Sequence, residues 1–244
     1  MNGNEPYPLT LEPIPAEQFQ GRSDRLWPAG EVPEFSAGTF WLATDNSRVA
    51  AGPQAGRSLG YLRHLWGADL TGLSAGDHPD SPLPVELKLK NTGEASQTLS
   101  LTAYSLWYIL AAEDEAALRA GWPEGPAEAR AEIDLGRRPE LWPEFEAEAG
   151  RCLWLPQGAP LFLGAGLTLA QIGPPAGQFP PGPPTDAQAD PRPPVWLAPA
   201  AAGPEESVLF QDPPLSVRLI TTAHRSDLTA SEALTFIWPL AGQG

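Results

Sequence analysis

Gly56-Arg57-Ser58-Leu59-Gly60 comes nearest to a reaction in this chain, because G-x-S-x-G is the pattern that presents a serine nucleophile on a sharp strand-to-helix turn. That chemistry needs a buried strand before the serine, and an acid and a histidine after it. Gly52-Pro53-Gln54-Ala55 precedes the motif and does not read as a buried parallel strand. His224 meets the required order only nominally, at a strand end beside a polar turn, and no HGGG-type oxyanion segment is present. Ser58 therefore reads as a loop residue. Asp77, His78 and Asp80 are metal-ligand types, but zinc and calcium sites need three or more converging ligands. His64, His78 and His224 lack paired spacing, so 77–80 reads as surface loop. The single cysteine, Cys152, excludes an internal disulfide and reads as a small buried hydrophobe beside Trp154. A carboxylate pair for glycoside hydrolysis stays open, since that mechanism depends on a separation no sequence states. No phosphate-binding glycine loop occurs. The expectation is a protein with no catalytic residue, metal ligand or cofactor.

Charge narrows the partners. The 15 Lys and Arg against 30 Asp and Glu leave a formal charge of −15, which argues against nucleic acid and against anionic membranes. Eleven acidic residues and four arginines between Ala111 and Gly150 hold −7 of it. Acidic strand faces there read as solvated, with a basic protein neighbour as the alternative. The chain starts without a basic segment leading into an apolar run, so it is expected to be made in the cytoplasm without a signal peptide. No stretch approaches the ~18 apolar residues of a membrane span.

The elements that must position any site read as strands. With 30 prolines and 24 glycines in 244 residues a helical bundle is excluded, since proline costs roughly 3 kcal/mol in a helix interior. The organising stretch is 84–110. Val85, Leu87 and Leu89 alternate with Glu86, Lys88 and Lys90, the only lysines, so one face is expected dry and the other wet. Asn91 to Ser96 is the expected turn of a hairpin, and Leu99 and Leu101 point inward on its return arm. From Tyr104 to Leu110 both faces are apolar, which requires a second covering layer. Further strands are expected at 38–44, 131–135, 145–149, 151–155 and 161–172, the last central. A second hairpin is expected from 215–219 and 233–238. Tyr61 to Trp66 reads as a strand or one helical turn, and Glu113 to Ala120 as the only helix. The fold class is all-β, an antiparallel β-sandwich of immunoglobulin-like or jelly-roll type. A proline-rich N-terminal arm spans 1–36, and the sandwich spans 37–244 with a proline-rich excursion at 173–206.

PVELKLKNTGEASQTLSL, residues 84–101, resembles hairpins of the immunoglobulin-like and jelly-roll sandwiches found in phage virion proteins and bacterial surface modules. The resemblance covers that stretch alone, implies a fold, and transfers no functional position. Two proline-rich segments carry spaced apolar anchors, and long loops of that kind are usually functional or held by something else. The expected function is a non-enzymatic structural or interaction protein of a larger assembly, most plausibly a bacteriophage virion component such as a capsid decoration or tail protein. Its partners would be other protein subunits, copies of itself included. Candidate binding residues are Leu9, Leu11, Ile14, Phe19 and Trp27 on the arm, Trp66, Trp122 and Trp142 in loops, and Val195, Trp196 and Leu197 in the excursion. The alternative is a carbohydrate-binding sandwich that uses loop tryptophans as a sugar platform.

Overall fold

A computed structural model describes residues 9–12, 14–15, 38–67, 85–101, 103–122, 141–174, 193–198, 200–201, 206–212 and 215–220. Within these the chain is all-β with one short helix. The strands are β1 (Ile14–Pro15), β2 (Gly38–Ala43), β3 (Glu86–Asn91), β4 (Gln97–Ser100), β5 (Ser105–Ala112), β6 (Ala117–Ala120) and β7 (Glu144–Glu146). They continue as β8 (Cys152–Leu155), β9 (Pro160–Leu163), β10 (Leu167–Gly173), β11 (Val195–Leu197), β12 (Ala200–Ala201), β13 (Glu206–Asp212) and β14 (Leu215–Ile220). The first sheet runs β1-β2-β3-β10-β5-β8-β11 and the second β4-β9-β6-β7, with β12-β13-β14 as a third. Every pairing is antiparallel.

The sandwich core lies between the first two sheets. Trp107, Ile109, Leu153, Leu155, Leu167 and Leu169 of the first sheet pack on Leu118, Ala120, Leu161 and Leu163 of the second. The opposite face of the first sheet is also covered. Leu106, Cys152 and Trp154 meet Val217 of β14, while Leu87 and Ala170 meet Leu11 of the N-terminal segment. A strand covered on both sides can be apolar throughout, which accounts for the SLWYILAA of β5 and the fully buried CLWL of β8. The single strand expected at 161–172 is two strands in different sheets: β9 joins the second sheet, and β10 alone is central in the first, flanked by β3 and β5.

Pairing corrects the expected hairpin. β3 joins the first sheet and β4 the second, so 91–96 crosses between sheets that stack roughly 10 Å apart. Thr92 is the pivot. Its amide donates to the Leu167 carbonyl at 2.9 Å and its Oγ1 accepts from the Leu167 amide at 2.9 Å, which ties the crossing to β10 and not to β4. Gly93 then takes φ +55°, with its amide on Asn91 Oδ1 at 2.8 Å. The face of β3 expected to be dry is dry, with Leu87 and Leu89 buried, but the face expected to be wet is covered as well. Glu86, Lys88 and Lys90 lie on the side that carries Leu169 and faces the second sheet, because Lys90 is opposite Leu169 and Lys88 opposite Gln171. Lys90 is 9% exposed, so the face is not wet.

One other expectation is overturned, one pair of alternatives is decided and one further pairing is found. Glu113 to Ala120 forms no helix: a turn at Glu113–Ala116 leads into β6, whose Leu118 and Ala120 enter the core. Period-2 burial and pairing with β9 outweigh local helix preference here. Leu59–Trp66 is a helix, α1, that buries Leu59, Leu62 and Trp66. β14 pairs with β13, and the return arm expected at 233–238 lies outside the described residues, as does the strand expected at 131–135.

The two proline-rich segments supply the two edges of the first sheet, β1 at one end and β11 at the other. β1 pairs Ile14 with Trp41 and Pro15 with Phe40, and β11 pairs Val195, Trp196 and Leu197 with Trp154, Leu153 and Cys152. Short or proline-containing edges block the addition of another chain. The described parts of the N-terminal segment and the excursion are thus straps on their own sandwich.

Candidate functional site: an acidic groove beside an edge strand

The second sheet ends on β7, whose Glu144 and Glu146 are exposed while Phe145 turns back toward the core. Facing β7 is the Glu113–Ala116 turn that joins β5 to β6. Between them lies an open groove of about 590 Å³, lined by Ala112 to Ala116 and Glu144 to Ala149. Six carboxylates border it: Glu113, Asp114, Glu115, Glu144, Glu146 and Glu148. Arg119 donates to Glu144 Oε2 at 2.8 and 3.1 Å, and Arg151 bridges Glu146 and Glu148 at 3.1 and 2.9 Å. The turn's three carboxylates are exposed and make no ion pair among the described residues. Glu115 sits at φ +68°, the one non-glycine residue with positive φ among those described. Such backbone costs of order 1–3 kcal/mol and persists only where its surroundings impose it.

The floor explains the placement of Trp196. Its ring stands edge-on to Phe145 at 5.7 Å, and the Arg151 guanidinium lies 5.5 Å from its centroid. Trp196 thereby anchors β11, β7 and the arginine that neutralises part of the groove. Phe145 and Trp196 pack against the main core together.

The other expected binding residues scatter. Leu9 and Leu11 pack on Val49, Leu62 and Trp66, Ile14 is in β1, and Phe19 and Trp27 lie outside the described residues. Trp66 and Trp142 were expected in loops with their rings available to a partner; at 6% and 3% exposure they are core residues instead. Trp66 closes α1 over the N-terminal strap, and Trp142 meets Phe162 edge-on at 6.4 Å. Trp122 is half-buried, Leu197 packs beside Cys152 and Trp154, and Val195 is 45% exposed. The groove was missed because its turn reads locally as a helix; the acidic surplus of 111–150 was the available signal.

Ser58 has a structural task. It is the N-cap of α1, in ordinary extended backbone, and its Oγ accepts the Tyr61 amide at 3.2 Å. Ser58→Ala is expected to cost about 1 kcal/mol, measured as a lower denaturation midpoint with unchanged slope. Burial pushes the Cys152 thiol up to about 12, which removes the thiolate a nucleophile needs. His78, Asp77, Asp80 and His224 lie outside the described residues, and no group of three or more His, Cys, Asp or Glu with metal-site geometry occurs among the described ones. Nor is any helix among them long and apolar enough to cross a membrane.

No protein-family model and no curated protein matches the chain. A solved structure described as "a putative mannosephosphate isomerase from Archaeoglobus fulgidus" is similar at 12% identity and a TM-score of 0.46, over 83% of this chain and 74% of that one. Likeness at that level bears on neither activity nor substrate.

Proposed function

We propose that the protein is a non-enzymatic structural or interaction component of a larger assembly, of which a bacteriophage virion is the specific case, and that a basic partner covers the acidic groove beside β7. The observation that carries this is the groove's charge, six carboxylates against two arginines beside a strand that among the described residues pairs on one side only. β7 presents Glu144 and Glu146 exposed beside the groove, so a partner would meet it through charge and not by adding a strand. Exposed ion pairs contribute only about 0–1 kcal/mol, so a partner's cations can replace Arg119 and Arg151 at little cost. Complementary charge of this kind speeds encounter and selects the partner. The two nucleophile candidates, Ser58 and Cys152, have structural roles, which supports the non-enzymatic reading. The virion case rests on the sandwich architecture and the groove, since the stretch that suggested it forms no hairpin.

Sugar binding would call for a flat exposed platform of rings. Trp66 and Trp142 are buried and Trp196 is occupied by Phe145 and Arg151, so no observation favours it.

A sedimentation experiment in extract of the native cell tests the proposal. The 26.0 kDa chain is expected to travel with a much heavier particle at low salt and to leave it as ionic strength rises through the range where surface charges are screened. The triple variant Glu144→Gln, Glu146→Gln, Glu148→Gln is expected to sediment free at every salt concentration with its fold intact. A wild-type chain that sediments free at low salt would sink the assembly reading. Particle association that survives the triple variant would remove the groove as its site.

A further inference from the structure

The only two lysines of the chain lie on the inner face of the first sheet, and one of them has no carboxylate partner among the described residues. Antiparallel register places Thr39, Glu86, Lys88 and Gln171 around Lys90 on the inner face of the first sheet, with the core residue Leu169 as the other neighbour of Lys90. Thr39 is opposite Lys90, Lys88 opposite Gln171, and Glu86 opposite Gly173. Farther along, on β5 and β8, the same face turns apolar at Ile109, Trp107 and Leu153 and meets the second sheet. The core is therefore apolar at one end and charged at the other.

Within the charged end the lysines differ. The Lys88 ammonium is held by Glu86 at 3.0 Å. The Lys90 ammonium has Thr39 Oγ1 at 3.5 Å, and no described carboxylate lies within 4.0 Å of it. With the residue only 9% exposed, water compensates little of that charge. Isolated buried charges are costly enough that proteins pair them, neutralise them or use them. Burial, and then the neighbouring Lys88, hold the Lys90 ammonium below its usual range. An incoming anion would relieve both effects. With Lys88 paired to Glu86, the Lys90 ammonium is the single positive charge here that no described carboxylate balances, which a monoanion matches and a dianion overshoots.

We propose that the face bearing Lys90, with Thr39, Lys88 and Gln171 beside it, is a binding site within the sandwich for a small carboxylate. Lys90 supplies the ion pair, and Thr39 and Gln171 supply hydrogen bonds on the same face. The site lies on the first sheet and is independent of the acidic groove on the second.

Having only two lysines makes the test direct. In the full-length protein labelled with ¹³C at lysine Cε, acetate is expected to shift the Lys90 signal saturably, and to raise Tm relative to chloride at equal ionic strength. Lys90→Met is expected to abolish the Tm response, and Lys88→Met to weaken the acetate affinity severalfold while keeping a saturable shift. Inorganic phosphate, mainly dianionic above neutral pH, is expected to act more weakly than acetate. Absence of a saturable shift overturns the proposal, and so does an acetate Tm response of equal size in Lys90→Met. A stronger response to phosphate overturns the assignment to a carboxylate.

Discussion

Replacing Trp107 by alanine is expected to cost about 3–5 kcal/mol, the range for deleting a fully buried aromatic ring. Whole domains are stable by only ~5–15 kcal/mol, so this substitution should bring the chain close to unfolding at ambient temperature. Trp107 is 0% exposed and lies at the centre of the inner face, beside Ile109 and Leu153. Its indole Nε1–H donates to Ser105 Oγ at 2.8 Å. Truncation therefore leaves a cavity and also a buried hydroxyl that loses its partner, Ser105 being 2% exposed. Trp107→Phe keeps most of the volume and loses the hydrogen bond, so it should fall between wild type and alanine. Urea denaturation followed by circular dichroism measures both. A loss below ~1 kcal/mol for the alanine variant would mean that the second sheet does not close over this face as described.

Gly121→Ala should have the next largest effect, about 2–4 kcal/mol, because two independent penalties meet at one atom. Gly121 takes φ +83°, where an L side chain is strained by roughly 1–2 kcal/mol. A Cβ there would also lie 2.6 Å from Pro194 Cγ and 2.7 Å from Pro194 Cδ. A proline ring cannot rotate away, so its backbone must move. Pro194 leads directly into β11, the strand that covers the free edge of β8. Displacing β11 would uncover CLWL, a wholly buried apolar strand, as an open sheet edge, and such edges recruit other chains. The variant is thus expected to lower Tm and to self-associate in sedimentation velocity. A monodisperse variant with unchanged Tm would show that Pro194 does not hold the strap.

Much of the fold was legible locally. Proline and glycine content exclude helical architectures, and alternation at β3 and β7 marks strands, because period-2 patterning is a property of the segment itself. The doubly apolar run at 104–110 called for two covering layers, and Val217 on one side with the second sheet on the other supply them. Burial of Cys152 and Trp154 followed from the same kind of run. The candidate site was less legible. Its acids could be counted, but their convergence depends on β7 pairing with β6, residues far apart in the chain.

What the amino-acid order determined by itself is which segments are extended, where both faces must be dry, and that the surface is strongly acidic. Those follow from side-chain chemistry taken a few residues at a time. Which strands become neighbours was decided only by the tertiary structure. A six-residue connection that looks like a hairpin turn can equally cross between stacked sheets, and the Thr92 bonds to Leu167 select the crossing. Alternation likewise shows that the two faces of β3 differ, without showing which one points inward. The second sheet and the N-terminal strap settle that, and they leave Lys90 inside.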